Sequence, residues 1–308
     1  MARTRYPADV GLSTRMALTM FLIGLVYVAF IAVLIAVRIP VVWIVLIAGG
    51  FLFFQYFFSD RIALFSMRGH EVSPQQAPVL HGIIDRLCAL ADMPKPKVAI
   101  SDSDIPNAFA TGRNQKSAVV CVTTGLMRRL DEPEIEAVLS HELSHVAHRD
   151  VAVMTIASFL GLLAGFVVRS SIYAGAYGGF GGYGRRNDSR DNTGAVILLV
   201  VLASAVVYAL SFLLTRALSR YRELSADRSG AILTGRPSTL ASALVKVSGD
   251  IARIPTRDLR AAEPLNAFFF APALSPGFSF SSLFSTHPTL QRRLDQLARI
   301  EQGMGHAA

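Results

Sequence analysis

Four long apolar runs, at residues 16–37, 41–58, 151–168 and 195–214, set the frame of the chain. Each is close to the ~20 residues that carry a helix across ~30 Å of hydrocarbon. The first has no charged residue, and Gln55 is the strongly polar side chain of the second. Only Arg38, Ile39 and Pro40 separate these two, which predicts a tight helical hairpin with both outer ends on one side. The later pair contains more Gly, Ala and Ser. For it two readings stay open: full spans, or helices that lie shallowly or pack inside the protein.

Between the second and third runs the pattern changes to that of a soluble domain. Residues 78–93 read as an amphipathic helix with Val79, Leu80, Ile83, Ile84, Leu87 and Leu90 on its apolar side. Residues 97–100 and 118–123 are rich in β-branched side chains and read as short strands, and Asn107-Ala108-Phe109-Ala110-Thr111-Gly112 is a candidate third. A further helix starts at Asp131, with Pro133 in its first turn and Glu134 three residues after the cap. Ile135, Val138 and Leu139 then supply its apolar stripe.

Composition agrees with a membrane protein: 52% of the 308 residues are hydrophobic and 17% are charged. The run from residue 16 is longer than the apolar core of a signal peptide, and no small-x-small pattern follows it, so it reads as a retained anchor. Arg3, Arg5, Arg15, Arg61, Arg68, Arg149, Arg216, Arg220 and Arg222 fall on the side of the N-terminus. Arg38, Arg169, Arg185, Arg186 and Arg190 fall opposite, which orients the N-terminus to the cytoplasm. The net charge of +8 fits contact with anionic lipid, and no nucleic-acid motif is present. Cys88 and Cys121 have neither metal-like nor redox spacing and read as small buried hydrophobes. The glycine-rich residues 178–184, with Arg185-Arg186-Asn187-Asp188 after them, match no phosphate-binding motif and are expected to be low-complexity and disordered.

The chemistry centres on His141-Glu142-Leu143-Ser144-His145. On a helix the two imidazoles lie one turn apart, close enough to share one ion. Zinc in a catalytic site takes three protein ligands and leaves the fourth position for water. Glu142 lies beside that position as the general base. His148 is a rival ligand by proximity, but three ligands from one helix would enclose a metal poorly. After the fourth run comes Arg222-Glu223-Leu224-Ser225-Ala226-Asp227. Here Glu223 is a candidate third ligand and Asp227 a candidate acceptor for the outer N–H of a ligand imidazole. A solvated i, i+4 acidic pair is the equal alternative from spacing alone, and the apolar Ala231-Ile232-Leu233 that follows favours a packed helix. Since these residues bracket the later apolar pair, connectivity puts the expected metal near the cytoplasmic membrane surface. A sheet edge beside such a site would hold an extended peptide through main-chain bonds, giving broad specificity.

Four motifs in order, His141–His145, Ser219-Arg220-Tyr221-Arg222-Glu223-Leu224-Ser225-Ala226-Asp227, Ser285-Thr286-His287-Pro288 with Arg293-Leu294, and 107–112 ahead of them, closely resemble the HtpX heat-shock proteases. These are bacterial membrane-integrated zinc endopeptidases related to the CAAX prenyl proteases. The resemblance runs from the first apolar run to about Leu297, and departs at His148 and in the glycine-rich stretch. It implies a gluzincin-type domain, one Zn2+ per subunit, and Glu223 as third ligand beside His141 and His145. It implies that Asn107 lines the cleft and that His287 and Arg293 lie near the site, supporting the oxyanion. It also implies a multi-pass bacterial membrane location with the site facing the cytoplasm, and misfolded membrane polypeptides as substrates in quality control.

The expectation is therefore an α+β fold, mainly helical, with a gluzincin-like zinc peptidase domain and a small β-sheet on a multi-pass helical membrane anchor. Its parts are an N-terminal transmembrane hairpin (1–58), the first catalytic part with the zinc helix (59–150), a second hydrophobic hairpin (151–214) and the second catalytic part (215–308). The competing class is a non-catalytic zinc-binding membrane protein, which would need a fourth protein ligand for a closed site. Zinc transport would need ionisable groups within the apolar runs, which hold none.

Overall fold

The structure is a computed structural model that describes residues 10–38, 40–112, 114–178, 193–253 and 287–305. Its described residues form two compact units. One takes those within Phe57–Val153 and Arg216–Ala308 together with those up to Met16; the other takes Ala17–Tyr56 and Met154–Thr215.

The first unit is built on a four-stranded sheet of order β1-β2-β4-β3, with β1 at Gly69–Glu71, β2 at Lys97–Ser101, β3 at Ala108–Thr111 and β4 at Val119–Thr123. β2 and β4 run parallel, and the outer pairs β1·β2 and β3·β4 are antiparallel. Side chains alternate between the two faces of each strand. Val98, Val120 and Val122 therefore face one core, while Ala99, Val119 and Cys121 face another with Phe109. Three helices cover the first face: α3 (Pro78–Ala91) through Ile83, Ile84 and Leu87, α5 (Glu132–Ala147) through Leu139 and Leu143, and α8 (Pro237–Arg253) through Leu240, Leu244 and Val247. Leu297 of α9 (Leu290–Gly305) joins the same core. The other face is closed by Leu64 of α2 (Val41–Ser66) and by Met67. A short helix, α4 (Thr124–Arg129), follows β4 directly and is capped by the Thr123 hydroxyl, which accepts from the Leu126 N–H.

Several expectations shift in detail. The helix predicted over 78–93 ends at Ala91, where Asp92 takes a left-handed conformation. Its buried face includes His81 and Cys88, whereas Val79 and Leu90 are 59% and 41% exposed. The buried face is narrower than the apolar stripe, because both of those aliphatics flank it rather than lie on it. β1 carries no strand signal in Gly69-His70-Glu71 and exists through its pairing with β2.

The second unit packs parts of four helices: α1 (Val10–Ala36), α2, α6 (Asp150–Gly178) and α7 (Thr193–Thr234). Phe159 of α6 lies between Tyr27 and Phe51, with ring centroids 6.2 and 6.0 Å away, and Phe30, Ala164 and Val207 complete this core. The Tyr27 hydroxyl donates to the carbonyl of Ile156. Outward faces stay apolar, with Phe21, Val28, Leu198 and Val206 each more than half exposed. Helices that are apolar all round belong in a nonpolar medium. Among the described residues, two helical stretches, Ser13–Ala36 and Ala195–Thr234, are long and apolar enough to cross a membrane. Val45–Phe54 and Val153–Arg169 are shorter apolar stretches. Of the glycine-rich segment only Gly178, the last residue of α6, lies within the described residues.

Candidate metal and active site

The site begins at the start of α5. The Asp131 carboxylate accepts from the Glu134 N–H at 2.9 Å, and Glu134 Oε2 accepts from the Asp131 N–H at 3.1 Å, forming the capping box that the sequence predicts. The other Glu134 oxygen accepts from Ser242 at 2.7 Å and lies 2.6 Å from Lys246 Nζ, both on α8. The helix is thus pinned at its first turn and its phase is fixed. Two turns on, His141 and His145 present their rings edge to face with centroids 4.9 Å apart.

Glu223 arrives from α7. Its carboxylate lies 3.6 Å from His141 Nε2 and 3.4 Å from His145 Nε2, and one ligand atom from each of the three residues falls within 4.8 Å of the others. That approach depends on Gly230. A Cβ built there would stand 2.9 Å from the His141 nitrogen and 3.1 Å from its Cα, closer than real side chains tolerate. Across the same contact the Ser140 hydroxyl donates to the Gly230 carbonyl at 3.2 Å. Small residues at a helix crossing let backbones approach, and here the closeness brings the carboxylate within reach of the imidazole pair.

Each imidazole turns its other nitrogen to a buried carboxylate. His141 Nδ1 is 2.9 Å from Asp227 Oδ1, and His145 Nδ1 is 2.6 Å from Asp150 Oδ2. Both acids are themselves held. Arg293 donates two hydrogen bonds to Asp227, from Nε at 2.7 Å and from Nη2 at 2.6 Å. Arg222 Nε lies 3.0 Å from Asp150 Oδ2. Such outer partners fix which nitrogen points inward. Asp150 has no signal as a site residue in the sequence; its clue is only that it falls five positions after His145, at the first residue of α6.

Glu142 is 5% exposed, and its Oε2 accepts from the Ala110 N–H of β3 at 3.1 Å. Burial, more than any other influence, raises its pKa above the ordinary carboxylate value. Burial works against positive charge on His145, but Asp150 and Glu223 outweigh it and push its pKa up to about 10. Two carboxylates, Asp150 and Glu223, thus lay negative charge against the two nitrogens of this ring. Two imidazoles and a carboxylate are also a donor set that zinc takes in catalytic sites, so the residues present fit such an ion.

The remaining predicted residues lie around this centre. His287 Nδ1 is 3.2 Å from Glu223 Oε2, and Arg293 Nη1 is 4.0 Å from the same oxygen. Ser285 and Thr286, which precede His287 in its motif, lie outside the described residues. Asn107 is fully buried just before β3, where its N–H donates to the Thr123 hydroxyl at 2.8 Å. His148 takes the C-cap position of α5 and is not one of the three converging groups.

Comparison with known proteins gives four matches. The sequence profile of Peptidase family M48 matches residues 74–301. Protease HtpX homolog 1 of Streptomyces coelicolor is 57% identical over 99% of this chain and 98% of its own length. A protease HtpX homolog of Moorella thermoacetica is 56% identical over 98% of both chains. Among solved structures, S. mikatae Ste24p shares the fold, with a TM-score of 0.50 at 19% identity, covering 94% of this chain and 67% of that one.

Proposed function

Because the chain belongs to Peptidase family M48 and is therefore a metalloprotease, we propose that it is a membrane-bound zinc endopeptidase in which His141, His145 and Glu223 hold the ion. The observation that carries this reading is the convergence of those three side chains, from two helices, within 4.8 Å. Zinc, when bound, supplies a Lewis acid that polarises a peptide carbonyl and makes water a better nucleophile near neutral pH.

The chain's own residues do the rest. Glu142 takes the proton as water attacks the carbonyl, then delivers it to the departing amine. Its position supports that role, since it is buried one residue from His141 and its carboxylate is held by the Ala110 N–H. Asp227 and Asp150 keep His141 and His145 in the tautomers whose inner nitrogens carry lone pairs. His287 and Arg293, beside Glu223, are suited to steady negative charge on the tetrahedral oxygen. β3 is an edge strand of the sheet, so an extended substrate can add to it by main-chain bonds with little regard to sequence, and Asn107 stands at its entry.

The domain is of the gluzincin type, carried on four hydrophobic segments with the site toward the cytoplasm. Its substrates are damaged or misfolded membrane polypeptides, as in protein quality control. The outward apolar faces of the second unit support the anchor, and the excess of arginine on the N-terminal side supports the orientation.

The test is proteolysis of a casein-like or membrane polypeptide by the purified full-length protein, with zinc removed and restored, beside Glu142→Gln. Cleavage should follow zinc, and Glu142→Gln should retain the metal and lose cleavage. Equal cleavage by Glu142→Gln would remove the assigned base, and a protein that binds zinc but never cleaves would favour a non-catalytic role.

A further inference from the structure

The hydroxyl of Thr123 makes more bonds than a helix cap needs. Thr123 is the last residue of β4, it is fully buried, and the chain passes from it directly into α4. One acceptor site of the hydroxyl takes the Leu126 N–H at 3.2 Å, which caps α4. The other takes the Asn107 N–H at 2.8 Å. The hydroxyl proton goes to the carbonyl of Ile105 at 2.9 Å or of Asn107 at 3.0 Å. A hydroxyl has one donor and two acceptor sites, so its whole capacity is used.

The contact with Asn107 carries the β3·β4 ladder one step past its last strand pair. The register that sets Ala108 opposite Val122 sets Asn107 opposite Thr123, and the Thr123 N–H donates to the Asn107 carbonyl at 2.9 Å. In a regular antiparallel ladder the Asn107 N–H would return that bond to the Thr123 carbonyl. Here the side-chain oxygen accepts it instead, at the point where the main chain leaves for α4. Residue 107 is thereby gripped at both main-chain groups by one residue. Bonded and open pairs alternate along such a ladder, so fixing 107 against 123 turns the main-chain groups of Ala108 and Ala110 to the free edge. The Ala110 N–H accordingly points away from β4, to Glu142. A slip of one residue would reverse the phase and turn Phe109 outward in their place.

We propose that Thr123 is a positioning residue for peptide hydrolysis: its hydroxyl fixes the phase of β3 and so presents the Ala108 main chain and the Ala110 carbonyl to an extended substrate. Thr123 touches no substrate itself and acts through Asn107 and β3. Without the hydroxyl, two buried N–H groups, those of Asn107 and Leu126, lose their acceptor. The first loss frees the entry of the edge strand, and the second loosens the helix start beside it. This inference rests on the peptidase reading and on strand addition at β3.

The experiment measures KM and kcat per zinc-loaded molecule on a casein-like polypeptide for the purified full-length protein and for Thr123→Ser, Thr123→Cys and Thr123→Val. Serine keeps the hydroxyl, cysteine keeps nearly the same shape with a poor acceptor, and valine replaces the hydroxyl by a methyl. Thr123→Ser should keep the wild-type KM. Thr123→Cys and Thr123→Val should raise KM about tenfold, the worth of one such hydrogen bond. Their kcat and zinc affinity should stay near wild type, because binding lost equally from ground and transition states appears in KM. Thr123→Cys carries the comparison where Thr123→Val does not fold. A merely structural role would lower the melting temperature and the folded fraction with KM unchanged, and that result would overturn the proposal. An equal rise of KM in Thr123→Ser would also overturn it, since the methyl and not the hydroxyl would then be at work. A wild-type protein that cleaves nothing would overturn the peptidase reading, and this inference with it.

Discussion

Asp150 Oδ2 lies 2.6 Å from His145 Nδ1, and the acid that orients this imidazole is the first residue of the next helix. It is buried and its ordinary pKa is lowered, since the Arg222 charge and the His145 hydrogen bond outweigh the effect of burial. Losing a partner of this kind costs about 10–100-fold in metal affinity or activity. Asp150→Ala should therefore bind zinc about 10–100-fold more weakly by competition with a chelator. Unchanged zinc affinity would show that His145 needs no orienting group.

Arg293 and Asp227 are both almost wholly buried and meet through two parallel hydrogen bonds. Removing one member of such a pair leaves an uncompensated charge inside the protein, at about 3–5 kcal/mol. Arg293→Met should lower the thermal midpoint sharply, and Arg293→Met/Asp227→Leu should lose less stability than the single change. Zinc affinity separates the two roles, because the double variant also deprives His141 of its acceptor and should bind the metal poorly even where stability returns.

Gly230 and Gly249 make a matched comparison in two helices. A methyl at Gly230 collides with the His141 backbone, whereas one at Gly249 meets nothing within 4 Å. Gly230→Ala should cost about 1–3 kcal/mol by overpacking and weaken zinc binding, as α5 and α7 separate. Gly249→Ala should be neutral or stabilise by up to about 1 kcal/mol, the ordinary helical preference of alanine. Equal melting temperatures for the two variants would mean that α5 and α7 are not held as closely as described.

Glu134 links folding to pH. Burial would raise its pKa, but hydrogen bonds from Lys246, Ser242 and the Asp131 backbone hold it below the ordinary value. A carboxylate whose pKa is lower when folded contributes stability above its unfolded pKa, about 4.3, and that contribution is lost as the pH falls through the folded value. The melting temperature should therefore drop as the pH is taken below about 4.3, and Glu134→Gln should flatten that part of the profile while lowering stability at neutral pH by about 1 kcal/mol. An identical acid limb in the variant would assign the acid sensitivity to other carboxylates.

What was legible in the chain was mostly local. Asp131 and Glu134 announce a helix start because capping is a matter of spacing, and the His141–His145 pair follows from helical periodicity. β2 and β4 announce themselves by their β-branched side chains. β1 does not, since three residues acquire strand geometry only from a neighbour. Val79 and Leu90 belong to the apolar stripe but not to the core, because hydrophobicity marks a stripe without fixing its edges, and packing against α5 and the sheet decides which aliphatics stay outside. Asp150 was silent for another reason. An acid between a histidine-bearing helix and an apolar run looks like any charge flanking a membrane segment, and only the return of the chain brings Arg222 beside it. The placement of Arg293 is likewise tertiary: it lies 66 residues from the Asp227 that it grips.

The hydrogen bond from Ala110 to Glu142 has a consequence for self-association. An edge strand with idle donors is a template on which a second copy of the same chain can stack, a particular hazard for proteins crowded in one plane. On β3 the donor at Ala110 is already engaged by a side chain of its own fold, so a stray strand must first break that bond before it can propagate a ladder there. An extended substrate adding to the same edge would face the same exchange, since it too would have to take the Ala110 donor from Glu142.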